Sequence, residues 1–382
     1  MTVAVDPAES TLAAARQALY AEMFGLGRVQ PLLYDERVQD IHINGADRVF
    51  VILDDGSREP VPPVADSDDE LIERFQRVAA RHGVTPRSWD RAHPILDLHL
   101  RSGHRLSAAM EVSDRPLVAI RRPAWTLDRL EEFVAIGSLS QDLADFLAAA
   151  VRARLNLGIA GGQGAGKTTL LRALLNEVPA TERIVTAEDV RELQLGAIVD
   201  EAGQPLHPDV VSPETRTANS EAAGLFTLSD CLQLTKRLNP DRVVVGEVRS
   251  VEAEQMVDAM LGSAGGSMCT VHASSAHKAI GRLRALMTKH GTLGERAAME
   301  LLVDAVDVVI YQRKDPASGR RYVAEVVEVA MAEGQVTFQD VFLPGDDGRA
   351  VRSAGPSHDL TQRLTAADGR RLASTNGRAV GR

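Results

Sequence analysis

Lysine is nearly missing from this chain. Of its 382 residues 43 are basic, yet Lys stands only at positions 167, 236, 278, 289 and 314, and the rest are Arg. Cysteine is confined to Cys231 and Cys269. Both lie in stretches that read as core, so two buried thiols in a reducing compartment are expected rather than a disulfide framework. Aromatics make up 4% of the chain, which leaves Leu, Val, Ala and Ile to build its interior. No stretch approaches ~18 uninterrupted apolar residues, so no membrane-spanning helix is predicted. The opening MTVAVDPAESTLAAARQ has neither the basic start nor the apolar centre of a signal peptide, and a cytosolic protein is expected. A basic excess is lacking too. The net charge of −10 argues against broad, sequence-independent nucleic-acid binding, although it leaves room for a local basic groove.

What is present begins with that first lysine. Lys167 lies in GGQGAGKTTLL, and Gly161-x-x-x-x-Gly166-Lys167-Thr168 is the phosphate-loop pattern. Glycines let backbone N–H groups wrap phosphate oxygens. A compact ammonium slides between those oxygens where the broad guanidinium fork would not fit. The Thr168 hydroxyl is the expected Mg²⁺ ligand. The run Gly161, Gly162, Gln163, Gly164, Ala165, Gly166, Lys167, Thr168 and Thr169 is therefore read as ATP-binding. Residues 155–160 read as a short buried strand, and KTTLLRALLNE as a helix ending before Pro179. Strand, glycine loop, helix is the arrangement that aims a helix N-terminus at a phosphate.

The patterning predicts an α/β protein of two domains. Residues 1–125 read as a smaller α/β domain, with an amphipathic helix over 9–24, a β-hairpin around residues 44–47, a charged helix over 66–83, and strands near 94–100, 104–110 and 118–122. Residues 126–138 read as a linker. Residues 139–343 alternate helix and strand, the signature of a mainly parallel sheet with helices on both sides. Buried strands are expected at 155–160, 183–187, 242–246 and 267–271, followed by an antiparallel meander after Asp304. Residues 344–382, rich in Gly, Arg, Asp and Ser, read as a disordered tail. No internal repeat is visible.

Three further segments carry chemistry. RVVVGEVR is a buried strand that delivers Glu247 at its C-terminal end, where a phosphate-loop ATPase needs a carboxylate for Mg²⁺ or water. Taken alone, Glu247 would be an ordinary strand-terminal acid. RIVTAEDVREL places acids just past a short strand, at the sheet edge where open α/β sheets bind ligands. Glu188 is the candidate to position the attacking water, with Glu192 behind it; the alternative is that both are helix-start charges. SMCTVHA ends a glycine-led strand on His272, which is placed to hydrogen-bond a γ-phosphate, though a lone His is more often structural.

These four elements in this order resemble the traffic ATPases of type II and type IV secretion. TAEDVREL is similar to that family's aspartate box, VVVGEVR to its variant Walker B strand, and SMCTVHASS to its histidine box. VQDIHINGADRVFV, PILDLHLRSGHRLSA and LVAIRRP add a resemblance to the Tad/Flp pilus-assembly branch. The chain departs from the pattern at His99, at Ser263-Ala264 and in the stretch before Walker B, and residues 196–212 look like a lengthened loop.

The resemblance implies a RecA-like motor domain and a homo-hexameric ring that uses ATP and Mg²⁺. Lys167, Glu188, Glu247 and His272 would be its catalytic set, with Thr168 and Glu247 at the metal. Arg105, Arg121 and Arg122 would reach the nucleotide as fingers. It implies a motor for pilus assembly or protein secretion that works on an inner-membrane platform protein, peripheral to the inner face of the cell membrane, without direct nucleic-acid contact. Two rivals remain: a conjugation-type DNA or DNA–protein motor, and a weakly hydrolysing ATP-dependent assembly switch.

Overall fold

The computed structural model describes residues 25–81, 88–100, 103–122, 127–199, 203–216, 224–262, 265–290, 293–332 and 335–368. The helix expected over residues 9–24 lies outside them. The chain divides into two compact units, one of residues 1–124 with 218–225 and the other of residues 125–217 with 226–382.

The first unit is built on an antiparallel sheet. Its strands are β1 (Val38–Asn44), β2 (Val49–Leu53), β3 (Arg58–Val61), β4 (Ile95–His99), β5 (Arg105–Ala109) and β6 (Leu117–Arg121). Their spatial order is β3-β2-β1-β6-β5-β4. The alternation in DIHIN sends Ile41 and Ile43 inward, where they join Leu71, Phe75 and Val78 of the helix Asp68–Arg81 and the ring of Trp89. Arg115 ties this helix to the β1–β2 turn, donating to both oxygens of Asp68 and to Asp47 at 2.6–2.8 Å.

The second unit holds, among the described residues, a nine-stranded mixed sheet in the order β15-β14-β13-β12-β7-β11-β10-β8-β9. β7 (Leu157–Gly161), β8 (Ile184–Ala187), β9 (Val210–Val211), β10 (Arg242–Val248), β11 (Met268–His272) and β12 (Val308–Lys314) run parallel. β13 (Arg321–Ala332), β14 (Gln335–Pro344) and β15 (Ala350–Arg352) continue the sheet antiparallel. The expected meander is therefore an extension of the main sheet, joined to it through β12. The parallel strands read as unbroken apolar runs because both of their faces are covered. Ile159 and Val244 face one core with Phe146, Leu147, Leu170 and Leu171. Ala160, Val243 and Val245 face the other with Met256, Leu283 and Leu302.

Two expectations are corrected here. The stretch 126–138 is not a bare linker over its described part: Leu130–Ala135 form a helix whose Leu130 and Phe133 are buried in the core of the second unit. Nor is the whole of 344–382 disordered. β15 pairs with β14, and the helix His358–Asp368 buries Leu360 and Leu364 in the same core. Two leucines four apart dock one face of a helix whose other positions are polar or alanine. Arg352 and Arg363 pin the segment further through Asp142 and Asp307.

The sheet also carries a buried charge. Arg242, fully buried, opens β10 and forms a two-pronged pair with Glu182 at 2.6 and 3.2 Å. It donates to the carbonyls of Val151 and Gly266 as well. Its guanidinium passes 2.4 Å from where a Cβ on Gly266 would lie, so a glycine with φ of +80° is required there. Arg242→Ala leaves the Glu182 carboxylate without this partner and opens a cavity. The expected loss is about 3–5 kcal/mol of unfolding free energy, read from urea denaturation. A loss under about 1 kcal/mol would contradict the buried pair's structural role.

Candidate functional site

Three strand ends meet at one level. Gly161 of β7 pairs in register with His272 of β11 on one side and with Gln312 of β12 on the other. A side chain at 161 has no room, since its Cβ would lie 2.5 Å from the Gln312 carbonyl oxygen. From here the chain enters the glycine loop. Gly164 and Gly166 take φ of +69° and +92°, the left-handed region that glycine adopts without strain. The crest over 162–164 is exposed, and a Cβ at Gly162 or Gly164 would meet nothing within 4 Å. The helix Lys167–Leu175 starts at once behind the loop, with Gly166 as its N-cap. Its first backbone N–H groups have no intrahelical acceptor, which makes this end an anion site.

Lys167 is buried, and its Nζ donates to the carbonyls of Gly161 (3.3 Å) and Gly162 (3.1 Å). It also lies 3.4 Å from Nδ1 of His272. Burial pushes the ammonium below its usual range, while the nearby Glu247 and Glu192 carboxylates oppose that shift. The same His272 ring places Nε2 2.5 Å from Oε1 of Glu247. The ring thus lies between the two, one nitrogen beside the ammonium and the other beside the carboxylate. The other oxygen of Glu247 accepts from Arg249 at 2.8 Å, and Arg249 reaches Asp189 at 3.5 Å. Glu247 stands where the β10–β11 register shifts, between Val245 and Val248, an irregularity that re-aims side chains at a strand end.

Glu188 has a different environment. It is buried, and both of its oxygens are engaged. Oε1 accepts from the backbone N–H of Glu192 and of Leu193 at 3.0 Å each, and Oε2 from the Thr186 hydroxyl at 3.1 Å. Burial raises its carboxyl to about 7 in spite of these three donors. The carboxylate read as the water-positioning acid is thus enclosed by three donors, two of them backbone N–H groups of the acidic segment. Glu192, by contrast, approaches the phosphate loop, 3.4 Å from the Thr168 hydroxyl. The packing also explains why Gly precedes Glu247: a Cβ at Gly246 would press to 3.0 Å on Cγ of Glu188.

The structure therefore gathers Lys167, Thr168, Glu188, Glu192, Glu247 and His272 at one sheet edge, as their positions in the sequence imply. Arg105, Arg121 and Arg122 belong to the first unit. Arg121 pairs with Asp40 at 2.7 Å and stands opposite Arg105 in the ladder. Arg122 donates to the carbonyls of Leu33, Asp35 and Glu36, a capping role within its own unit. Two residues at the loop were not singled out from sequence. Arg321 donates to the Gly164 carbonyl at 2.8 Å, and Gln312 lies beneath Gly166. They come from strands more than 140 residues downstream of the loop, at positions where alternation signals only a strand.

The donor set fits a magnesium nucleotide. Mg²⁺ is held by one or two protein oxygens together with substrate phosphates, and the Thr168 hydroxyl with the Glu192 and Glu247 carboxylates supplies such oxygens beside the loop.

Residues 24–317 match the family model described as type II/IV secretion system protein. A Mycobacterium tuberculosis chain named for conjugal transfer is 34% identical over 365 residues, which cover 92% of this chain and 97% of that one. The type IV secretion system protein PtlH of Bordetella pertussis is 37% identical over 265 residues, 61% of this chain and 74% of its own. In fold, the Legionella pneumophila ATPase DotB superposes with a TM-score of 0.56 at 19% identity, covering 80% of each chain. The pilus retraction motor PilT with bound ADP gives 0.56 at 16% identity, covering 80% of this chain and 83% of that one.

Proposed function

Because the chain belongs to the type II/IV secretion system protein family and is a P-loop ATPase of it, we propose that it is a motor for pilus assembly or protein secretion. In this reading it is a homo-hexamer that hydrolyses MgATP and acts on an inner-membrane platform protein from the cytoplasmic side. The observation that carries the reading is the junction of Lys167, His272 and Glu247 at the mouth of the glycine loop. The motifs of the first unit support the Tad/Flp branch in particular.

The chemistry follows from the side chains. Lys167 and the helix N-terminus supply positive potential to the β- and γ-phosphates, where charge builds as the terminal bond breaks. Glu247 accepts a proton from, or orients, the attacking water. Thr168 with Glu192 and Glu247 would hold Mg²⁺, which supplies further charge neutralisation at the phosphates. His272 touches both Lys167 and Glu247, so a change at the γ-phosphate alters both of its contacts at once. That makes it the natural link between hydrolysis and movement. Arg105, Arg121 and Arg122 are proposed as finger arginines, although Arg122 already caps carbonyls of its own unit.

A second reading, a motor for DNA or a DNA–protein complex, is favoured by the relatives named for conjugal transfer. One experiment separates the two and tests the ring. Purified protein is assayed for steady-state phosphate release with and without DNA, and sized by light scattering with a non-hydrolysable ATP analogue. The secretion reading expects DNA-independent turnover and a hexameric mass. Turnover stimulated about tenfold or more by DNA would favour the conjugation reading. A monomer at tens of micromolar with the analogue bound would count against the ring.

A further inference from the structure

We infer that the β12–β13 hairpin is a second clamp on the phosphate loop, with Arg321 as the residue that positions the loop for nucleotide. The inference rests on the ATPase reading and deepens it. Its first support is the bond from Arg321 Nε to the Gly164 carbonyl, at 2.8 Å. That carbonyl shares a peptide unit with the N–H of Ala165, which donates to the Gly162 carbonyl at 3.3 Å. Both ends of one peptide plane at the loop's crest are thus held, one by the loop itself and one by the hairpin. The plane joins Gly164 to Ala165, and Gly164 takes the left-handed conformation in which the backbone has most freedom to turn. Fixing it in advance removes part of the ordering cost that nucleotide binding would otherwise carry.

The clamp is rooted at both strands. The Arg321 carbonyl accepts from the Ser138 hydroxyl at 2.5 Å, and the next inward residue, Val323, donates to the Ser138 carbonyl at 3.2 Å. On β12, the main chain of Gln312 abuts Gly161, and its side-chain nitrogen lies 3.2 Å from where a Cβ on Gly166 would be. Gln312 is 1% exposed, and its Oε1 has no hydrogen-bond partner among the described residues. A buried acceptor without a partner is costly to keep, and it belongs to the side chain whose amide nitrogen lies under the loop's last glycine. The hairpin turn is closed by the Asp315 N–H, which donates to the Arg320 carbonyl at 2.8 Å. Arg313, Lys314 and Arg320 are exposed on the same hairpin and add positive charge beside the loop.

The test compares Arg321→Ala and Arg321→Lys with wild type in the full chain. A fluorescent ATP analogue reports affinity, phosphate release reports kcat and KM, and thermal melting reports the fold. Arg321 is exposed, so melting is expected to hold within a few degrees. Arg321→Ala is expected to raise Kd and KM by about tenfold, the scale of releasing one ordered backbone unit, while kcat changes less than about twofold. Arg321→Lys, whose ammonium still offers a donor to the carbonyl, is expected to recover most of the affinity. Wild-type Kd and KM in Arg321→Ala would overturn the clamp, as would a loss in kcat with KM unchanged. If wild type itself fails to bind the analogue, the ATPase reading falls first and takes this inference with it. If wild type binds and Arg321→Ala binds equally well, only the clamp falls.

Discussion

Lys167→Ala is expected to reduce phosphate release by on the order of 10²–10³-fold or more, to the background of the assay, without unfolding the protein. The magnitude follows from position. The ammonium is held over the carbonyls of Gly161 and Gly162 at the loop's open side, and its next neighbour is the His272 ring. No other lysine precedes it in the chain, and the next one is Lys236. Burial pushes the ammonium below its usual range, and the Glu247 and Glu192 carboxylates oppose that shift. The fold should survive because Lys167 opens its helix and the packing of that helix rests on Leu170, Leu171 and Leu174. Alanine at a first helical turn costs nothing in propensity. Phosphate release and a thermal melt on the same preparation check both halves. Near-wild-type turnover would remove the phosphate loop from the chemistry.

The second large effect is at Glu247. Glu247→Gln keeps the shape of the side chain and removes its charge and basicity. Turnover should fall by on the order of 10²-fold or more, with nucleotide affinity close to wild type. The local geometry sharpens the expectation. Glu247 faces His272 through one oxygen and Arg249 through the other, so it is an acid held at the loop by two basic groups. Glu188→Gln is the natural comparison. Its carboxyl is enclosed and accepts from Thr186, Glu192 and Leu193. Its substitution should act through the shape of the acidic segment, lowering melting temperature together with turnover. Should Glu188→Gln lose turnover at an unchanged melting temperature while Glu247→Gln remains active, the roles given to these two acids are reversed.

The difference between the two glutamates shows where sequence reasoning works in this protein and where it stops. Glu188, Glu247 and His272 each follow a short apolar run, and a parallel sheet brings the C-terminal ends of such runs to one edge. Their convergence was therefore legible from order and spacing. Which carboxylate is enclosed by backbone donors was not. That depends on whether backbone N–H groups of the following turn close on it, as Glu192 and Leu193 close on Glu188. Gly246 was legible only as part of VVVGEVR, the run that resembles the variant Walker B strand. The reason for it, the Cγ of Glu188 at 3.0 Å from any Cβ placed there, requires the packed structure. Arg321 was hidden for another reason. Its position in RRYVAEV signals a strand, and nothing local marks the register that carries it to Gly164. The docked helix His358–Asp368 was missed because its polar composition resembles a tail, while its core contact depends on two leucines alone.

The most direct measurement is phosphate release by the full-length wild-type chain with ATP, with magnesium present and with magnesium removed by chelation, alongside Lys167→Ala. The expected result is steady turnover in the wild type that vanishes on chelation and is absent from the variant. Release that persists in Lys167→Ala, or a wild type that binds ATP and magnesium without turning over, would contradict the assignment of Lys167, His272 and Glu247 as the hydrolytic centre.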